Sequence, residues 1–379
     1  METKKCDIII IGAGVVGCAI ARELSIKYPD KKITVLEKLK NAGLETSSFN
    51  SGVLHSGIHQ NPNFLKSKLA RQGNKMAIEY AKRNSLPILE HGMLIAISGK
   101  SIMEGLWKEW RSLWHLLKNG WEQKINFELL PSGAIKELEP NINAVGGIFL
   151  PDVCVIDPLQ FTQCLKNEAE KNGTRFCFSN GVIGIINLSQ SRIVFTANNQ
   201  YEASVVINAA GLYADEIANG TSCNKYKIYP WRGEYYEVLE EKRNLVRRLV
   251  YPVMPSNSPS KGIHFSPRVD GKLFIGPNAR LIGAKYFYDY DKTPVEVFLK
   301  SVQHFCPELQ AKDLKWAYSG IRPKLTDQAE ESDFVIRLDG KNPPLVNLIG
   351  IESPGLSASM AIAEYVADLL KDLITPRSL

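Results

Sequence analysis

The feature that most constrains the fold is the glycine pattern Gly12-Ala13-Gly14-Val15-Val16-Gly17. It follows the apolar run 6–11, which predicts a buried strand, and it opens the helical spacing of residues 15–28. Ile33–Leu36 predicts a second buried strand, and Glu37 follows it about 20 residues after the last glycine. A β-α-β unit of this length, about 30 residues, requires a parallel sheet with a right-handed crossover.

Each part of this pattern suits a bound dinucleotide. Gly12 allows the tight turn, Gly14 lets the backbone approach the pyrophosphate, and Gly17 lets the helix pack closely on the sheet. The N–H groups at the helix N-terminus stabilise the diphosphate, and Glu37 can accept hydrogen bonds from the adenosine ribose. A carboxylate at this position would repel a 2′-phosphate, which disfavours NADP. The alternative is a glycine turn without a ligand.

The rest of the chain favours FAD over NAD. After the first β-α-β unit the chain enters a polar loop, residues 43–60, and the parallel pattern returns only near 174–211. Gly355, Leu356 and Ser357 then stand at the start of a long predicted helix, 356–373. A cofactor that reaches across the whole domain needs a second helix N-terminus, whose N–H groups could bind a flavin ring.

A different pattern interrupts the nucleotide-binding one. Short strands separated by Pro, Asn and Gly between about 226 and 280 predict an antiparallel sheet. The length of 379 residues allows two or three units. The sequence therefore predicts an α/β Rossmann-like FAD-binding domain of the glutathione-reductase type, formed discontinuously from residues 1–85, 150–220 and 318–379. Residues 86–149 and 221–317 are expected to form an α+β substrate-binding domain with a mostly antiparallel sheet.

Charge and cysteine content limit the partners. The 46 basic and 40 acidic residues are scattered, which is typical of a solvated surface and predicts no nucleic-acid site. The seven cysteines include no C-x-x-C pair, and no cluster of metal ligands is present, so we predict a reducing compartment and no metal. No apolar stretch approaches 18 residues, which predicts a cytoplasmic protein without a transmembrane segment. Peripheral association with a membrane is the alternative.

A tryptophan stripe marks the predicted helix 102–118. Trp107, Trp110 and Trp114 recur at helical spacing, which is more typical of core packing than of a ligand cage. The alternative is contact with a membrane surface, which a quinone acceptor would require.

The candidate catalytic base lies in the segment NSGVLHSGIH, residues 50–59. Two of the six histidines, His55 and His59, stand here beside Gly52 and Gly57, which permit the backbone to approach a planar ligand. A histidine in such a loop can act as a general base near neutral pH. A structural hydrogen-bonding role for His55 is the alternative, and His59 is expected to be structural.

Two further segments supply cationic candidates. Gly320-Ile321-Arg322-Pro323-Lys324 predicts a glycine-flanked turn, and the fork of an arginine binds both oxygens of a carboxylate. A surface arginine is the alternative. His264 and Arg268 lie on a predicted strand of the inserted sheet, facing either a ligand or solvent.

Taken together, these motifs resemble the FAD-dependent oxidoreductases of the D-amino-acid-oxidase superfamily. They are most similar to the L-2-hydroxyglutarate dehydrogenase/oxidase branch and its glycerol-3-phosphate oxidase-like relatives. The resemblance extends from about residue 7 to about residue 370. Beyond the glycine pattern with Glu37 and Lys38, it is carried by NSGVLHSGI (50–58), VVINAAGLYA (205–214), PWRGEY (230–235), the segment 251–278 with its IHFSPRVDGKLFIGPN, GIRPK (320–324) and the segment 350–361.

The resemblance implies a non-covalent FAD and oxidation of a 2-hydroxy acid to the 2-oxo acid, with L-2-hydroxyglutarate as the expected substrate. Glycerol 3-phosphate or an amino acid is the alternative, and a non-catalytic flavin- or nucleotide-binding redox module is the alternative from another class. Phe49 and Met93 stand where the hydroxyglutarate branch has a histidine and a lysine. The segment ESPGLSAS (352–359) is more similar to the glycerol-3-phosphate oxidase-like relatives. The electron acceptor is expected to be oxygen, a quinone or a carrier protein.

The same resemblance assigns roles to individual residues. His55 is the base beside the flavin, and Arg322 holds an anionic group of a small anionic substrate. Candidates for binding a second anionic group are His264, Arg268 and Lys324. The expected cofactor contacts are Gly12, Ala13, Gly14, Val15, Val16, Gly17, Glu37, Lys38, Thr46, Ser47, Asn50, Ser51, Gly52, Val182, Ala210, Gly211, Gly320, Arg322, Gly355, Leu356 and Ser357.

Overall fold

A six-stranded sheet carries the N-terminal glycine pattern. A computed structural model describes residues 3–98, 104–221, 224–255, 258, 260–286, 289 and 291–374. The neighbouring strands of this sheet are, in order, Arg175–Cys177, Ile33–Leu36, Ile8–Ile11, Val205–Asn208, Pro344–Ile349 and Val335–Lys341. The first five are parallel, and the last pairs antiparallel at the edge. The predicted β-α-β unit is confirmed.

Burial on both faces explains why the central strands of this sheet are so apolar. Ile8–Ile11 is a run of four isoleucines, all buried, as expected for a parallel strand covered on both sides. On one face the sheet packs against helices that share its largest hydrophobic core. These helices are Val15–Lys27, Leu65–Arg83, Pro158–Lys171 and Gly355–Leu370. Asp157 caps the third of them, accepting hydrogen bonds from the N–H groups of Leu159 and Gln160, each at 2.9 Å.

A nine-stranded sheet forms the second layer. Eight strands lie in the order Arg280–Leu281, Tyr229–Val238, Leu273–Gly276, His264–Pro267, Leu249–Pro252, Met93–Ile97, Gly146–Leu150 and Glu128–Pro131. The ninth, Leu314–Lys324, pairs antiparallel with Tyr229–Val238. Only the pairing between Leu249–Pro252 and Met93–Ile97 is parallel among those described. The predicted mostly antiparallel sheet is therefore confirmed.

The remaining described elements are two smaller sheets, four α-helices and three 3-10 turns. A four-stranded sheet contains Thr3–Lys5, Gln200–Ala203, Arg192–Thr196 and Val182–Asn187, and a three-stranded one contains Val53–Leu54, Cys154–Ile156 and Ile88–Leu89. The other α-helices of the described residues are Glu104–Glu122, Ser132–Leu138, Ala214–Asn219 and Val295–Val302. Single 3-10 turns span Gly211–Tyr213, Glu240–Leu245 and Ala311–Asp313.

The segment 320–324 is a strand and not the predicted turn. Its residues complete the long strand Leu314–Lys324, in which Arg322 lies opposite Trp231 and Lys324 opposite Tyr229. Cross-strand pairing along a whole strand overrides the local turn preference of glycine and proline. The expected domain boundary at residue 318 falls inside this strand.

The helix Glu104–Glu122 turns tryptophans toward solvent. Trp110 and Trp114 are 46% and 62% exposed, so the prediction of core packing is wrong for both. Residues 102–103 and the side chain of Trp107 lie outside the described part of the chain. Spacing of three and four residues places leucines on the buried face instead. These leucines are Leu113, Leu116 and Leu117.

Candidate active site

The turn after the first strand is built from glycines that cannot be replaced without a clash. Gly12 has a φ of +101°, and a Cβ there would lie 2.6 Å from the carbonyl oxygen of Ala209. A Cβ at Gly17 would collide with the carbonyl of Gly12, so the helix lies directly against the turn. With glycine at these positions, no side chain stands between the backbone of the turn and an approaching diphosphate.

Glu37 is tied to this turn. Its carboxylate accepts hydrogen bonds from the N–H groups of Ala13 at 2.7 Å and Leu39 at 2.8 Å. Burial raises the pKa of Glu37, and the two N–H donors act in the opposite direction. An acidic group at the end of the second strand, beside the glycine turn, is the arrangement that binds ribose hydroxyls.

Two adjoining cavities extend from this turn. The first, the glycine-loop cavity, is lined by Gly12, Glu37, Lys38, Val182 and Ala210 among others. The second, the histidine cavity, is lined by His55, Lys261, His264, Arg322 and Lys324 among others. Gly14, Thr46, Ser47, Ala209 and Gly211 line both, so the two cavities form one cleft.

Most of the predicted cofactor contacts lie in this cleft, and four do not. Those that line it are Gly12, Gly14, Val15, Val16, Glu37, Lys38, Thr46, Ser47, Asn50, Ser51, Val182, Ala210, Gly211, Gly320, Arg322, Gly355 and Leu356. The four outside its lining are Ala13, Gly17, Gly52 and Ser357. They lie behind the lining of the cleft. Each is held there by a hydrogen bond or a close packing contact with a neighbouring segment.

The loop that follows residue 45 joins the two sheets. Thr46 donates a hydrogen bond to the carbonyl of Ile321 at 2.9 Å, and Ser47 Oγ accepts one from the N–H of Val15 at 2.9 Å. Asn50 closes the loop on itself, donating to the carbonyl of Ser47 at 2.7 Å. The strand that carries Arg322 and the helix that follows the glycine turn are thereby held to the same short segment.

His55 lies directly after the strand Val53–Leu54, and the last long helix fixes its backbone. Its N–H donates to Ser357 Oγ at 2.8 Å, and that hydroxyl lies 3.3 Å from the carbonyl of Val53. The imidazole lines the histidine cavity. Burial, and secondarily the charge of Lys261, lowers the pKa of His55 to about 4. The ring is therefore neutral at pH 7 and able to accept a proton.

The loop after His55 rests on the tryptophan-bearing helix. Asn119 donates to the carbonyl of Ile58 at 3.3 Å, and Gln123 donates to the carbonyl of Gly57 at 3.3 Å. The predicted structural role of His59 is consistent with its burial, which lowers its pKa well below the usual value.

The histidine cavity is lined by four cationic side chains and by three glutamates, Glu330, Glu331 and Glu352. Arg322 donates to the carbonyl of Asn278 at 3.2 Å, and Lys324 is buried beside it. Lys261 donates to the carbonyl of His59 at 3.1 Å, and Lys66 pairs with Glu331 at 3.0 Å. Burial lowers the pKa values of Lys261 and Lys324, which indicates charges that an anionic ligand would stabilise.

Arg268 does not line the histidine cavity, in contrast to its predicted role. Its guanidinium donates to the carbonyl of Asn50 at 2.7 Å and contacts the hydroxyl of Tyr318. It also lies 5.3 Å from the ring centre of Phe274. Because these groups surround the guanidinium, Arg268 holds the 46–52 loop in place, and we withdraw it as a substrate-binding residue.

Sequence reasoning missed three residues of the cavity wall. Lys261, Lys66 and Tyr251 all line it, although none stands in a motif of its own. Lys261 and Tyr251 lie within the segment 251–278 that carries the family resemblance, but that resemblance assigned no role to either. Lys66 lies in the first turn of an amphipathic helix, where a lysine is ordinarily solvated.

A comparison with protein families identifies the family of the chain that forms this cleft. A family model described as "FAD dependent oxidoreductase" matches residues 7–369. The chain belongs to this family of FAD-dependent oxidoreductases. Its cofactor is FAD, and the resemblance inferred from the motifs is confirmed.

Individual relatives share nearly the whole chain. The glycerol 3-phosphate dehydrogenase of Caloramator mitchellensis is 34% identical over 380 residues, covering 97% of this chain and 74% of that protein. The mitochondrial L-2-hydroxyglutarate dehydrogenase of Caenorhabditis elegans is 29% identical, with coverage of 97% and 93%. The FAD-bound L-α-glycerophosphate oxidase of Mycoplasma pneumoniae has a TM-score of 0.86 at 29% identity, with coverage of 100% and 97%.

The cleft fits FAD at both ends. The glycine-loop cavity offers the turn at Gly12, the helix N-terminus after Gly14 and the Glu37 carboxylate, which suit the adenosine diphosphate. The histidine cavity offers the start of the helix Gly355–Leu370, where N–H groups can bind a flavin. Within the described residues, no helix is long and apolar enough to cross a membrane, and no three His, Cys, Asp or Glu side chains are grouped to hold a metal ion.

Proposed function

We propose that this FAD-dependent oxidoreductase oxidises the secondary hydroxyl of a small dianion to a ketone. The observation that carries the proposal is the pairing, in one cavity, of a neutral buried histidine with several cationic side chains. His55 supplies the proton acceptor, and Arg322, Lys261 and Lys324 supply positive charge for the two negative charges of the substrate. Bound FAD supplies the hydride acceptor.

The residues divide the work as follows. Arg322 binds one anionic group through its fork and orients the alcohol, as was expected from the sequence. Lys324 and Lys261 bind the second carboxylate of a dicarboxylate, or the remaining oxygens of a phosphate. His55 takes the hydroxyl proton onto its imidazole, and Ser357 keeps that ring in place through the backbone. Proton removal by one positioned base contributes about 10²- to 10⁴-fold in rate.

Two substrates meet these requirements. L-2-hydroxyglutarate, the substrate expected from the sequence, has two carboxylates, and the relatives that bear its name are covered almost completely. Glycerol 3-phosphate has a doubly charged phosphate. The relative at 34% identity and the solved structure with a TM-score of 0.86 bear its name, and these two findings favour it. An amino acid fits less well, because its ammonium group would face Arg322 and the lysines.

An anaerobic substrate panel tests the proposal. The holoenzyme is mixed with L- and D-2-hydroxyglutarate, L-lactate, glycerol 3-phosphate and several amino acids, and loss of the visible flavin absorption is recorded. Bleaching by a dianionic alcohol and not by amino acids is the expected result. If only dithionite bleaches the flavin, the chain is a non-catalytic redox module and the proposal fails.

We infer that oxygen, a quinone or a carrier protein accepts the electrons from the flavin. We infer the cytoplasm as the location of the protein. Reoxidation assays distinguish the acceptors, since oxygen uptake, reduction of a soluble quinone and reduction of a carrier are measured separately.

The division into a FAD-binding domain (1–85, 150–220, 318–379) and a substrate-binding domain (86–149, 221–317) stays a prediction. Limited proteolysis of the holoenzyme tests it.

A further inference from the structure

His264 lines the histidine cavity, and one of its ring nitrogens is a buried hydrogen-bond acceptor without a partner among the described residues. It begins the strand His264–Pro267 and is 3% exposed. Its Nδ1 lies 2.8 Å from the carbonyl oxygen of Gly262, and because a carbonyl can only accept, the ring proton resides on Nδ1. Nε2 is then a lone-pair acceptor. It is fully buried and has no hydrogen-bond partner among the described residues.

The ring is fixed in this state by its surroundings. It stacks on Tyr251 with ring centres 3.6 Å apart and planes 17° apart, and Tyr251 is itself buried. The charged and titratable groups that act on it are His55, His59, Arg268 and Arg322, with Tyr251 stacked on the ring, and no carboxylate is among them. Burial, followed by His55 and the two arginines, lowers the pKa of His264 to about 3.

This state contradicts the predicted pairing of His264 with an anionic group. A neutral imidazole whose free nitrogen carries a lone pair repels a carboxylate or phosphate oxygen instead of binding it. What Nε2 requires is a donor. An acceptor left unpaired in a buried site is unfavourable by about 1–3 kcal/mol, so a ligand that supplies the donor is selected.

We propose that His264 Nε2 accepts a hydrogen bond from a second hydroxyl of the substrate, so that the site selects a vicinal-diol phosphate over a hydroxydicarboxylate. This inference rests on the proposed function. His55 takes the proton of the hydroxyl that is oxidised, and a different donor must therefore face His264. Glycerol 3-phosphate carries one on its terminal carbon. The dianion of 2-hydroxyglutarate has no donor besides the hydroxyl that reacts.

Deletion of that one hydroxyl from the substrate tests the proposal in the unaltered holoenzyme. Values of kcat/KM are measured for glycerol 3-phosphate and for propane-1,2-diol 1-phosphate, which lacks only the terminal hydroxyl. We expect the wild-type protein to prefer glycerol 3-phosphate by about 10- to 100-fold, the factor that one unpaired buried acceptor implies. Equal values for the two compounds would overturn the proposal without any variant being needed.

A pair of variants assigns the preference to its source. In His264→Asn the amide can still donate to the Gly262 carbonyl, but no acceptor remains at the position of Nε2, so the preference should fall to about one. His115→Asn, at an exposed histidine that does not line the cavity, should keep the wild-type ratio. A preference that survives in His264→Asn contradicts the assignment.

The outcomes also separate this inference from the proposed function. Turnover of 2-hydroxyglutarate without turnover of glycerol 3-phosphate overturns the role of His264 and leaves alcohol oxidation intact. Absence of turnover with every alcohol overturns both.

Discussion

A buried imidazole accepts a proton only while it is neutral, and the cavity keeps His55 in that state. The cationic groups that bind the substrate also disfavour a second positive charge nearby. Lys261 is the charged residue that acts on His55 most directly, after burial itself. The same positive charges also disfavour the imidazolium that forms when His55 takes the proton, and a bound anion offsets this effect.

Replacing His55 with asparagine should remove the base and leave the flavin site intact. We expect the rate of flavin reduction in a single anaerobic turnover to fall by about 10²- to 10⁴-fold. FAD should still bind, because the glycine-loop cavity that suits the adenosine diphosphate does not include this residue. His115→Asn, at an exposed histidine, is the matched control. A variant that reduces flavin at the wild-type rate would exclude His55 as the base.

The pH dependence of kcat/KM should reflect the lowered pKa of His55. A histidine in water loses its ability to accept a proton as the pH falls through about 6.5. With a pKa of about 4, the ring in this cavity stays deprotonated at pH 5, so we expect kcat/KM to be constant between pH 7 and pH 5 and to fall only near pH 4. The measurement is a pH profile of kcat/KM under subsaturating substrate, taken with L-2-hydroxyglutarate or corrected for the second ionisation of glycerol 3-phosphate at about pH 6. An acidic limb centred near pH 6.5 would contradict it.

Among the elements, the β-α-β unit was the most readily predicted, since its strand, turn, helix and acidic residue all agree with one fold. The strand Leu314–Lys324 was missed because its C-terminal half contains glycine and proline, and only pairing with Tyr229–Val238 makes it extended. Helical spacing placed the tryptophan-bearing helix but not its orientation. The side that is buried depends on which neighbour the helix packs against, and a single helix does not encode this.

The glycine turn should tolerate no side chain. Gly12→Ala places a Cβ against the carbonyl of Ala209 at a φ of +101°, so we expect lower FAD occupancy and a loss of about 1–3 kcal/mol in the free energy of unfolding. Gly184→Ala is the control, because a Cβ there meets no atom within 4 Å. Flavin content per chain and urea unfolding are the measurements. Normal flavin content in Gly12→Ala would show that the turn does not approach the cofactor.

At the scale of the whole molecule, the functional site belongs to no single sheet. The motifs predicted its nucleotide end well, because the glycine pattern and Glu37 are contiguous in the sequence. They predicted the substrate end less well. Lys261 and Tyr251 reach the cavity only through the pairing of Leu249–Pro252 and His264–Pro267 in the nine-stranded sheet, and this pairing has no local sequence signal.

Because the cleft spans both sheets, FAD should stabilise the entire molecule. The midpoint of thermal unfolding of the apoprotein should rise with FAD concentration, corresponding to about 2.7 kcal/mol at a hundredfold excess over Kd. Riboflavin, which lacks the diphosphate and adenosine, should stabilise far less, since it leaves the glycine-loop cavity empty. Equal stabilisation by the two compounds would mean that the glycine turn contributes nothing to binding.

The hydrogen bond between the backbone of His55 and Ser357 joins residues 302 positions apart in the chain. The ribosome makes the glycine turn and the loop of His55 early. It must then add 302 residues after His55 to reach Ser357. Until then the cleft is incomplete. Val205–Asn208 can pair with Ile8–Ile11, but its other neighbour in the sheet, Pro344–Ile349, has not been made. Loading of the cofactor is thus an event that follows synthesis of the last long helix, and not one that guides early synthesis.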